Sequence, residues 1–314
     1  MSSDGASPIA LARDTEHHLR GYLLIASAAL CWGAAATLGK AVFNGTLFAG
    51  RTAIDPVILA QSRTSCSLLI LFPILLVIHG ANALRISRRD LFVSLMVGIV
   101  GVAGSNFFYY FAIQKSTVAT AITVQYTAPV WVLLYLVARG EQRATLKRIA
   151  AVVMALLGSM LVVGVGSSAG LKLASVGVLA ALGAAFTYAF YNVGAAVLVQ
   201  RRPSWLVMLY SLLGSVLFWL IVNPPWRIWA QHYSAKQWGF LAAFAMISML
   251  LPFNLYFAGL KYLDPTRAVV TSCLEPVFAI AFAATFVSEK IGVLQVCGMV
   301  LVLTATLLIQ MPER

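Results

Sequence analysis

The stretch LEPVFAIAFAATFVSE at residues 274–289 is apolar between its ends and places Glu275 directly before Pro276. A similar apolar stretch, with Pro129 near its start, stands close to the middle of the chain. Each stretch follows a similar lead-in, YFAIQK at residues 110–115 and YFAGLK at residues 256–261. The chain therefore repeats one pattern. Only the second copy carries a carboxyl group beside the proline, because Ala128 precedes the proline of the first copy.

The composition excludes a soluble globular protein. The 314 residues are 61% hydrophobic and only 10% charged, whereas soluble domains carry about 25% charged residues. A chain so poor in charge cannot cover its surface with polar groups, so its solvent must be lipid. The net charge of +12 comes from short basic clusters between apolar runs. No basic face is interleaved with aromatic residues, so the sequence predicts no nucleic-acid partner.

Apolar runs long enough to span a bilayer recur along the whole chain. A spanning helix needs about 20 apolar residues. The ten predicted spans cover residues 21–43, 55–79, 90–113, 117–138, 146–165, 176–199, 204–222, 238–260, 266–287 and 290–310. The sequence therefore predicts an all-α polytopic membrane protein with ten transmembrane helices and a polar tail at residues 1–20.

The repeat predicts how the ten helices are organised. About five helices separate matching positions, and because five is odd, the second copy must enter the membrane from the opposite side. We therefore expect two inverted five-helix repeats, at residues 21–165 and 176–310. Lys and Arg favour the loops on the side of the N-terminus by about two to one, which predicts a cytoplasmic-membrane protein with both termini in the cytoplasm.

The cysteines and histidines do not form a metal-binding pattern. The four cysteines lie inside apolar runs without a C-x-x-C spacing, and the four histidines lie in the tail or near predicted helix ends. The sequence therefore predicts neither a metal site nor a cofactor.

Several motifs together resemble the EamA family of the drug/metabolite transporter superfamily. They are the ten spans, Cys31-Trp32-Gly33, Pro129 with Glu141, and the stretch from Glu275-Pro276 to Glu289. The stretches NFFY at residues 106–109 and LPFN at residues 251–254 are similar to those of amino-acid exporters within that family. The resemblance implies a five-plus-five inverted repeat, a central cavity, and export of small metabolites without ATP. It does not identify the substrate, because family members move amino acids, sugars, amines, drugs and nucleobase-type compounds.

Glu275 is the strongest candidate for a functional residue. Its position in the ninth span places it near the middle of the membrane, where an ionisable side chain is costly. Pro276 removes a backbone donor and leaves the carbonyl of Ser272, one turn earlier, free. Glu275 and that carbonyl could bind a proton, another cation or a substrate amine. A carboxyl group that stays protonated, or that only holds the kink, is the competing interpretation.

Arg63, in the second span, is the other deep charge. Its planar guanidinium suits a carboxylate, so it could bind the carboxylate of an amino acid or pair with Glu275. It could also extend towards the outer interface beside Gln61, Ser62 and Thr64. The sequence favours a structural or interfacial role for it.

Polar and aromatic residues recur three or four positions apart, and hence on single helix faces. Because lipid rejects amides, these faces should line the interior of the bundle. The candidate cavity residues are Trp32, Asn106, Tyr109, Gln125, Tyr188, Asn192 and Glu275. Tyrosines that only support helix contacts are the competing interpretation. Pro129 and Pro276 are candidate hinges, although static kinks would need the same residues.

These observations predict a secondary transporter that works by alternating access. Amino acids, including aromatic and hydrophobic ones, are the first candidates for the exported metabolite, and drugs, amines or sugars are the alternative. Proton coupling and facilitated diffusion both remain open, as does the oligomeric state. An intramembrane enzyme would need a nucleophile–base pair or an H-E-x-x-H motif, and this sequence has neither at membrane depth. A non-transporting scaffold would not need the central polar residues.

Overall fold

The structure, a computed structural model, describes residues 8–43, 54–116, 118–163, 175–286 and 291–311. Within these ranges the chain is helical and contains no β-strand. The helices are α1 (Pro8–Phe43), α2 (Pro56–Ala83), α3 (Arg88–Met96), α4 (Gly104–Lys115), α5 (Val118–Gln125), α6 (Ala128–Ala138), α7 (Leu146–Val163), α8 (Ser175–Val199), α9 (Ser204–Val222), α10 (Pro225–Trp229), α11 (Ala235–Ala245), α12 (Leu251–Gly259), α13 (Pro265–Ser272), α14 (Leu274–Phe286) and α15 (Val293–Gln310). Two π-helical segments, π1 (Val97–Ala103) and π2 (Met246–Leu250), join α3 to α4 and α11 to α12.

Among the described residues, ten helical stretches are long and apolar enough to cross a membrane. Spans 1 and 2 are α1 and α2, span 3 is α3-π1-α4, span 4 is α5-α6, and spans 5, 6 and 7 are α7, α8 and α9. Span 8 is α11-π2-α12, span 9 is α13-α14, and span 10 is α15. The predicted all-α membrane protein with ten spans is therefore confirmed. Helix α1 begins at Pro8, so much of the predicted tail is helical.

The same irregularities occur at matching places in the two halves. The π-helical segments interrupt span 3 and span 8. Span 4 breaks between α5 and α6, and span 9 breaks at Cys273 between α13 and α14. Pro129 and Pro276 lie in the first turn after these breaks, where a missing N–H costs no intrahelical hydrogen bond. Glu289, which closes the quoted stretch, lies outside the described residues.

Contacts between the spans follow a reciprocal pattern. Span 1 packs against spans 8 and 9, and span 6 packs against spans 3 and 4. Span 2 contacts span 8, as span 7 contacts span 3, while spans 5 and 10 pack against each other. Exchanging the two halves maps each of these contacts onto another one, except the contact between spans 5 and 10, which maps onto itself. Two inverted repeats would produce this pattern, and the repeat itself stays a prediction.

One end of the bundle is held together by polar contacts between distant parts of the chain. Arg202 Nε lies 2.7 Å from Asp90 Oδ2, and joins the start of span 7 to span 3. Thr266 Oγ1 donates to Gln142 Oε1 at 2.8 Å, and joins span 9 to the segment after span 4. Asp264 caps α13 and lies 3.1 Å from Arg267 Nε. These residues belong to the end that the Lys and Arg distribution predicts to face the cytoplasm.

Candidate functional site

Glu275 is the second residue of α14, directly after the break in span 9. The backbone N–H groups at the start of a helix carry a partial positive charge, which favours a carboxylate there. The side chain is half-buried, and it forms no hydrogen bond or ion pair with another described residue. Its carboxyl oxygens are therefore not committed to a partner within the described part of the protein.

Tyrosines on three other spans lie near this carboxyl group. Tyr109 of span 3, Tyr126 of span 4 and Tyr188 of span 6 all lie within electrostatic range of Glu275. Each phenol is half-buried, so part of its surface is not covered by protein. The Tyr188 and Ser272 hydroxyl groups lie 3.2 Å apart, and either can donate the hydrogen bond. Side chains from both halves of the chain thus converge around one carboxyl group.

Close packing between spans 1 and 9 fixes the position of α14. Gly33 lies so near α14 that an added Cβ would meet the Ala279 nitrogen and the Phe278 Cβ at 2.8 Å, and the Glu275 carbonyl oxygen at 3.0 Å. Thr37 Oγ1 lies 3.3 Å from the Ala279 carbonyl oxygen, to which it donates. The backbone that carries Glu275 is therefore held directly against α1.

Trp32 and Asn192, both expected to line a cavity, lie in the packed core. Asn192 is 0% exposed, and its Oδ1 accepts a hydrogen bond from the Tyr256 hydroxyl. Trp32 is 7% exposed, and its ring lies 5.5 Å from the ring of Tyr256. These residues join spans 1, 6 and 8 rather than present a free surface, so we expect them to support the site.

Gln125 and Asn106 are half-buried amides that already donate hydrogen bonds within the protein. Gln125 Nε2 donates to the Ser105 hydroxyl at 3.1 Å, and so links span 4 to span 3. Asn106 Nδ2 donates to the Val102 carbonyl oxygen at 2.7 Å, one turn earlier in its own span. Among the residues expected at the site, the structure therefore gathers Tyr109, Tyr188 and Glu275 most directly.

Arg63 points into the bundle rather than towards an interface. Its Nη2 donates to the Ser248 carbonyl oxygen in π2 at 2.8 Å, and its guanidinium lies 5.9 Å from the centre of the Phe244 ring. The arginine lies within electrostatic range of Tyr109 and Glu275. Both charged residues are described, and they do not form an ion pair with each other. The bond to Ser248 fits the structural part of the predicted structural or interfacial role, whereas the side chain does not extend to the interface.

The sequence did not identify the partners of these side chains. The unrecognised residues are Ser105, Ser248 and Tyr256, and the Ser272 side chain was overlooked although its carbonyl was noted. Small hydroxyl residues are common in membrane helices, where they usually bond to their own backbone. The sequence therefore carries no signal for the Ser105 and Ser272 hydroxyl groups, and the Ser248 contact uses a backbone carbonyl oxygen, which every residue has. Within the described ranges, no group of three or more His, Cys, Asp or Glu side chains could hold a metal ion.

Comparisons with known proteins agree with this architecture. The model of the EamA-like transporter family matches residues 19–164 and 175–311. The chain is 24% identical to an uncharacterized inner membrane transporter, YicL, of Salmonella typhimurium, over 94% of this chain and 96% of the relative. It is 25% identical to the threonine/homoserine exporter RhtA of Escherichia coli, over 91% of this chain and 88% of the relative. A solved crystal structure has the same fold, with a TM-score of 0.73 and 20% identity over 92% of this chain and 96% of that one.

Proposed function

The chain belongs to the EamA-like transporter family, and we propose that it exports small amphipathic metabolites, with amino acids as the principal substrate class. The family and the relatives named above are transporters, not enzymes, so a role in membrane transport is the premise. The printed function of RhtA supports amino acids as the first class to test. Aromatic and hydrophobic amino acids are included because tyrosines lie near the central carboxyl group.

The observation that carries the proposal is the convergence of four spans on Glu275. A carboxylate in a region of low dielectric constant binds an ammonium group through strong charge-assisted hydrogen bonds. The faces of Tyr109, Tyr126 and Tyr188 suit a cation and can also stack against an apolar substrate side chain. Glu275 is also our candidate for coupling, since a carboxyl group at this depth can exchange a proton for the substrate cation.

Alternating access is the proposed mechanism. The reciprocal contacts between the spans support two inverted repeats, at residues 21–165 and 176–310, that rock against each other. The breaks before Pro129 and Pro276 interrupt the backbone of spans 4 and 9. Bending at these breaks would change the access to Glu275, which lies directly after the break in span 9.

The protein is a multi-pass membrane protein, and we propose that it lies in the inner membrane with both termini in the cytoplasm. The excess of Lys and Arg on one side supports this orientation. The inner-membrane relative supports this location. Labelling single cysteines at positions 85 and 236 with a membrane-impermeant reagent would test the orientation. We expect labelling of intact cells only at position 236, and the reverse would refute it.

Counterflow in proteoliposomes tests the transport function directly. Vesicles loaded with an unlabelled compound are diluted into a trace of its labelled form, so exchange needs no coupling ion. We expect counterflow of L-threonine or L-phenylalanine in vesicles that contain the protein. Counterflow of amines or sugars without amino acids would replace the proposed substrate class by the alternative one.

Glu275→Gln tests the coupling role. We expect the wild type to accumulate the amino acid in response to a pH gradient and the variant to lose that response. Glu141→Gln is the matched control, because Glu141 is an exposed carboxyl group that pairs with Arg139 outside the bundle. A Glu275→Gln variant that keeps the wild-type rate and pH response would refute the role of this residue.

A further inference from the structure

We propose that Arg63 and Glu275 together recognise a zwitterion: Arg63 binds the carboxylate of the substrate and Glu275 binds its ammonium group. The inference rests on the proposed transport of amino acids and deepens it. It assigns each charged group of an α-amino acid to one residue, and so predicts which derivatives the protein excludes.

The two residues lie at similar depths although they enter from opposite ends of the bundle. Arg63 is seven residues after Pro56, the start of α2, and therefore about 10 Å along that helix. Glu275 is ten residues after Pro265, the start of α13, and therefore about 15 Å from the other end. In a hydrocarbon core of about 30 Å, their depths differ by only about 5 Å. In an α-amino acid the ammonium and carboxylate groups are attached to the same carbon atom. A hydrogen bond of about 3 Å to each group lets the molecule span such a difference in depth.

Each charge lacks a charged partner. Glu275 has no hydrogen bond or ion pair to another described residue, and Arg63 forms none of the ion pairs found in the described part of the chain. A lone charge inside a membrane protein is costly and is a sign of function. If the two residues served only to neutralise each other, direct contact would be the favourable arrangement. The absence of direct contact means that neither group is neutralised by the other in an ion pair, so each is available to an opposite charge on a substrate.

The guanidinium of Arg63 is anchored by one hydrogen bond and still has N–H donors without acceptors. Nη2 is committed to the Ser248 carbonyl oxygen of π2, which fixes the orientation of the planar group. The Nε–H is covered by protein and has no acceptor, and no hydrogen bond to a described residue is formed by Nη1, so the guanidinium keeps donor capacity that the described part of the protein does not satisfy. Arg63 is therefore held as a preorganised donor, whereas a flexible surface arginine would lose more entropy on binding.

Tyr109 connects the two ends of the proposed site. It lies within electrostatic range of both Arg63 and Glu275. Its half-buried ring and that of Tyr188, which also lies within electrostatic range of Glu275, offer an apolar surface for the substrate side chain. The charged residues would thus select the amino-acid backbone, and the tyrosines would tolerate different side chains.

Competition in the counterflow assay separates recognition of the two charges. The labelled probes are L-threonine and L-phenylalanine. The competitors are each amino acid, its amide, which has no carboxylate, and its N-acetyl derivative, which has no ammonium group. For the wild type we expect both derivatives to compete at least about 10-fold more weakly than the parent amino acid, as expected when a hydrogen bond to a charged group is lost.

Each variant should change one preference and keep the other. Arg63→Gln should lose the preference for the amino acid over its amide but retain that over the N-acetyl derivative. Glu275→Gln should show the opposite. Damage to the fold would weaken the binding of all competitors alike. A loss of only one of the two preferences therefore distinguishes a binding role from a structural role. Arg63→Lys keeps the charge and should retain part of the preference over the amide. Arg143→Gln, at an exposed arginine, is the control and should match the wild type.

The possible failures point to different errors. If the wild type exchanges an amino acid and its amide equally well, the zwitterion proposal is wrong while the transport function stands. If Arg63→Gln weakens every competitor by the same factor, the arginine is structural and the assignment of the carboxylate is wrong. If the wild type shows no amino-acid counterflow with either probe, both proposals fail. If Arg63→Gln does not fold, the wild-type ratios and Arg63→Lys still decide the question.

Discussion

Replacing Gly33 with alanine tests whether the contact between spans 1 and 9 positions Glu275. The added Cβ would lie 2.8 Å from the Ala279 nitrogen and the Phe278 Cβ, and 3.0 Å from the Glu275 carbonyl oxygen. Ordinary contacts of a Cβ begin near 3.4 Å, so the two helices must separate by about 0.6 Å. Two of the three atoms belong to the backbone, and they cannot move aside by rotation of a side chain.

The chain offers a matched control on the same helix. For Gly39→Ala the nearest atom would be Phe244 Cζ at 3.8 Å, which is an ordinary contact. Both substitutions gain about 1 kcal/mol of helix propensity, so this gain cancels in the comparison. Overpacking costs about 1–3 kcal/mol. The free energy of unfolding of Gly33→Ala should therefore be lower than that of Gly39→Ala by about that amount.

Thermal unfolding of the purified variants in one detergent measures the difference. At about 2–4 °C for each kcal/mol in a large domain, Gly33→Ala should melt about 2–12 °C below Gly39→Ala. Counterflow of labelled L-threonine should also be slower in Gly33→Ala, because α14 carries the candidate binding carboxyl group. A Gly33→Ala variant that melts with or above Gly39→Ala would refute the close contact. Normal transport at a lowered melting temperature would show that the contact does not position the site.

Three further substitutions probe other contacts. Gly98→Ala should lower the melting temperature, because its Cβ would lie 2.0 Å from a backbone carbonyl oxygen of span 7, which cannot rotate away. Asn223→Leu should cost about 1–3 kcal/mol of unfolding free energy, because it leaves the buried Oε1 of Gln61 without the donor now 2.6 Å away. Asp264→Asn keeps the α13 cap but loses the ion pair with Arg267, so it should cost about 1 kcal/mol or less and have a smaller effect in 1 M salt.

Each of these substitutions has its own control. Gly239→Ala, whose Cβ would meet nothing within 4 Å, is the reference for Gly98→Ala, and equal melting temperatures would contradict the tight packing of spans 3 and 7. Gln61→Leu should cost less in the Asn223→Leu background than in the wild type, and equal costs would show that the two amides are not coupled. An effect of Asp264→Asn that is unchanged by salt would contradict an electrostatic origin.

The number and length of the helices follow from the sequence because lipid imposes a local rule. Every buried backbone group must be satisfied within its own helix, so a spanning segment appears as about 20 apolar residues whatever its neighbours are. The breaks at Pro129 and Pro276 are equally local, since proline lacks a donor wherever it stands. The prominence of Glu275 also needed only the sequence, because a carboxyl group inside an apolar run is costly in any membrane fold.

The local rule does not determine how each helix is rotated about its own axis. Residues three or four apart share a face, but the pattern does not say which face lies against which neighbour. Trp32 and Asn192 were therefore expected in a cavity and lie in the packed core instead. The sequence pattern does not predict the π-helical segments either. Such a segment holds an additional residue in its turn, and packing against a distant helix decides where that is favourable.

The sequence by itself determined ten membrane-spanning helices, two breaks and one deep carboxyl group, because each depends on the transfer of a short segment from water to lipid. Tertiary structure decided that Tyr109, Tyr126 and Tyr188 lie within electrostatic range of that carboxyl group, and that Arg63 is anchored on π2 without an acidic partner among the described residues. These partners come from different spans, far apart in the chain. Their meeting depends on side-chain packing between helices, which no single segment encodes.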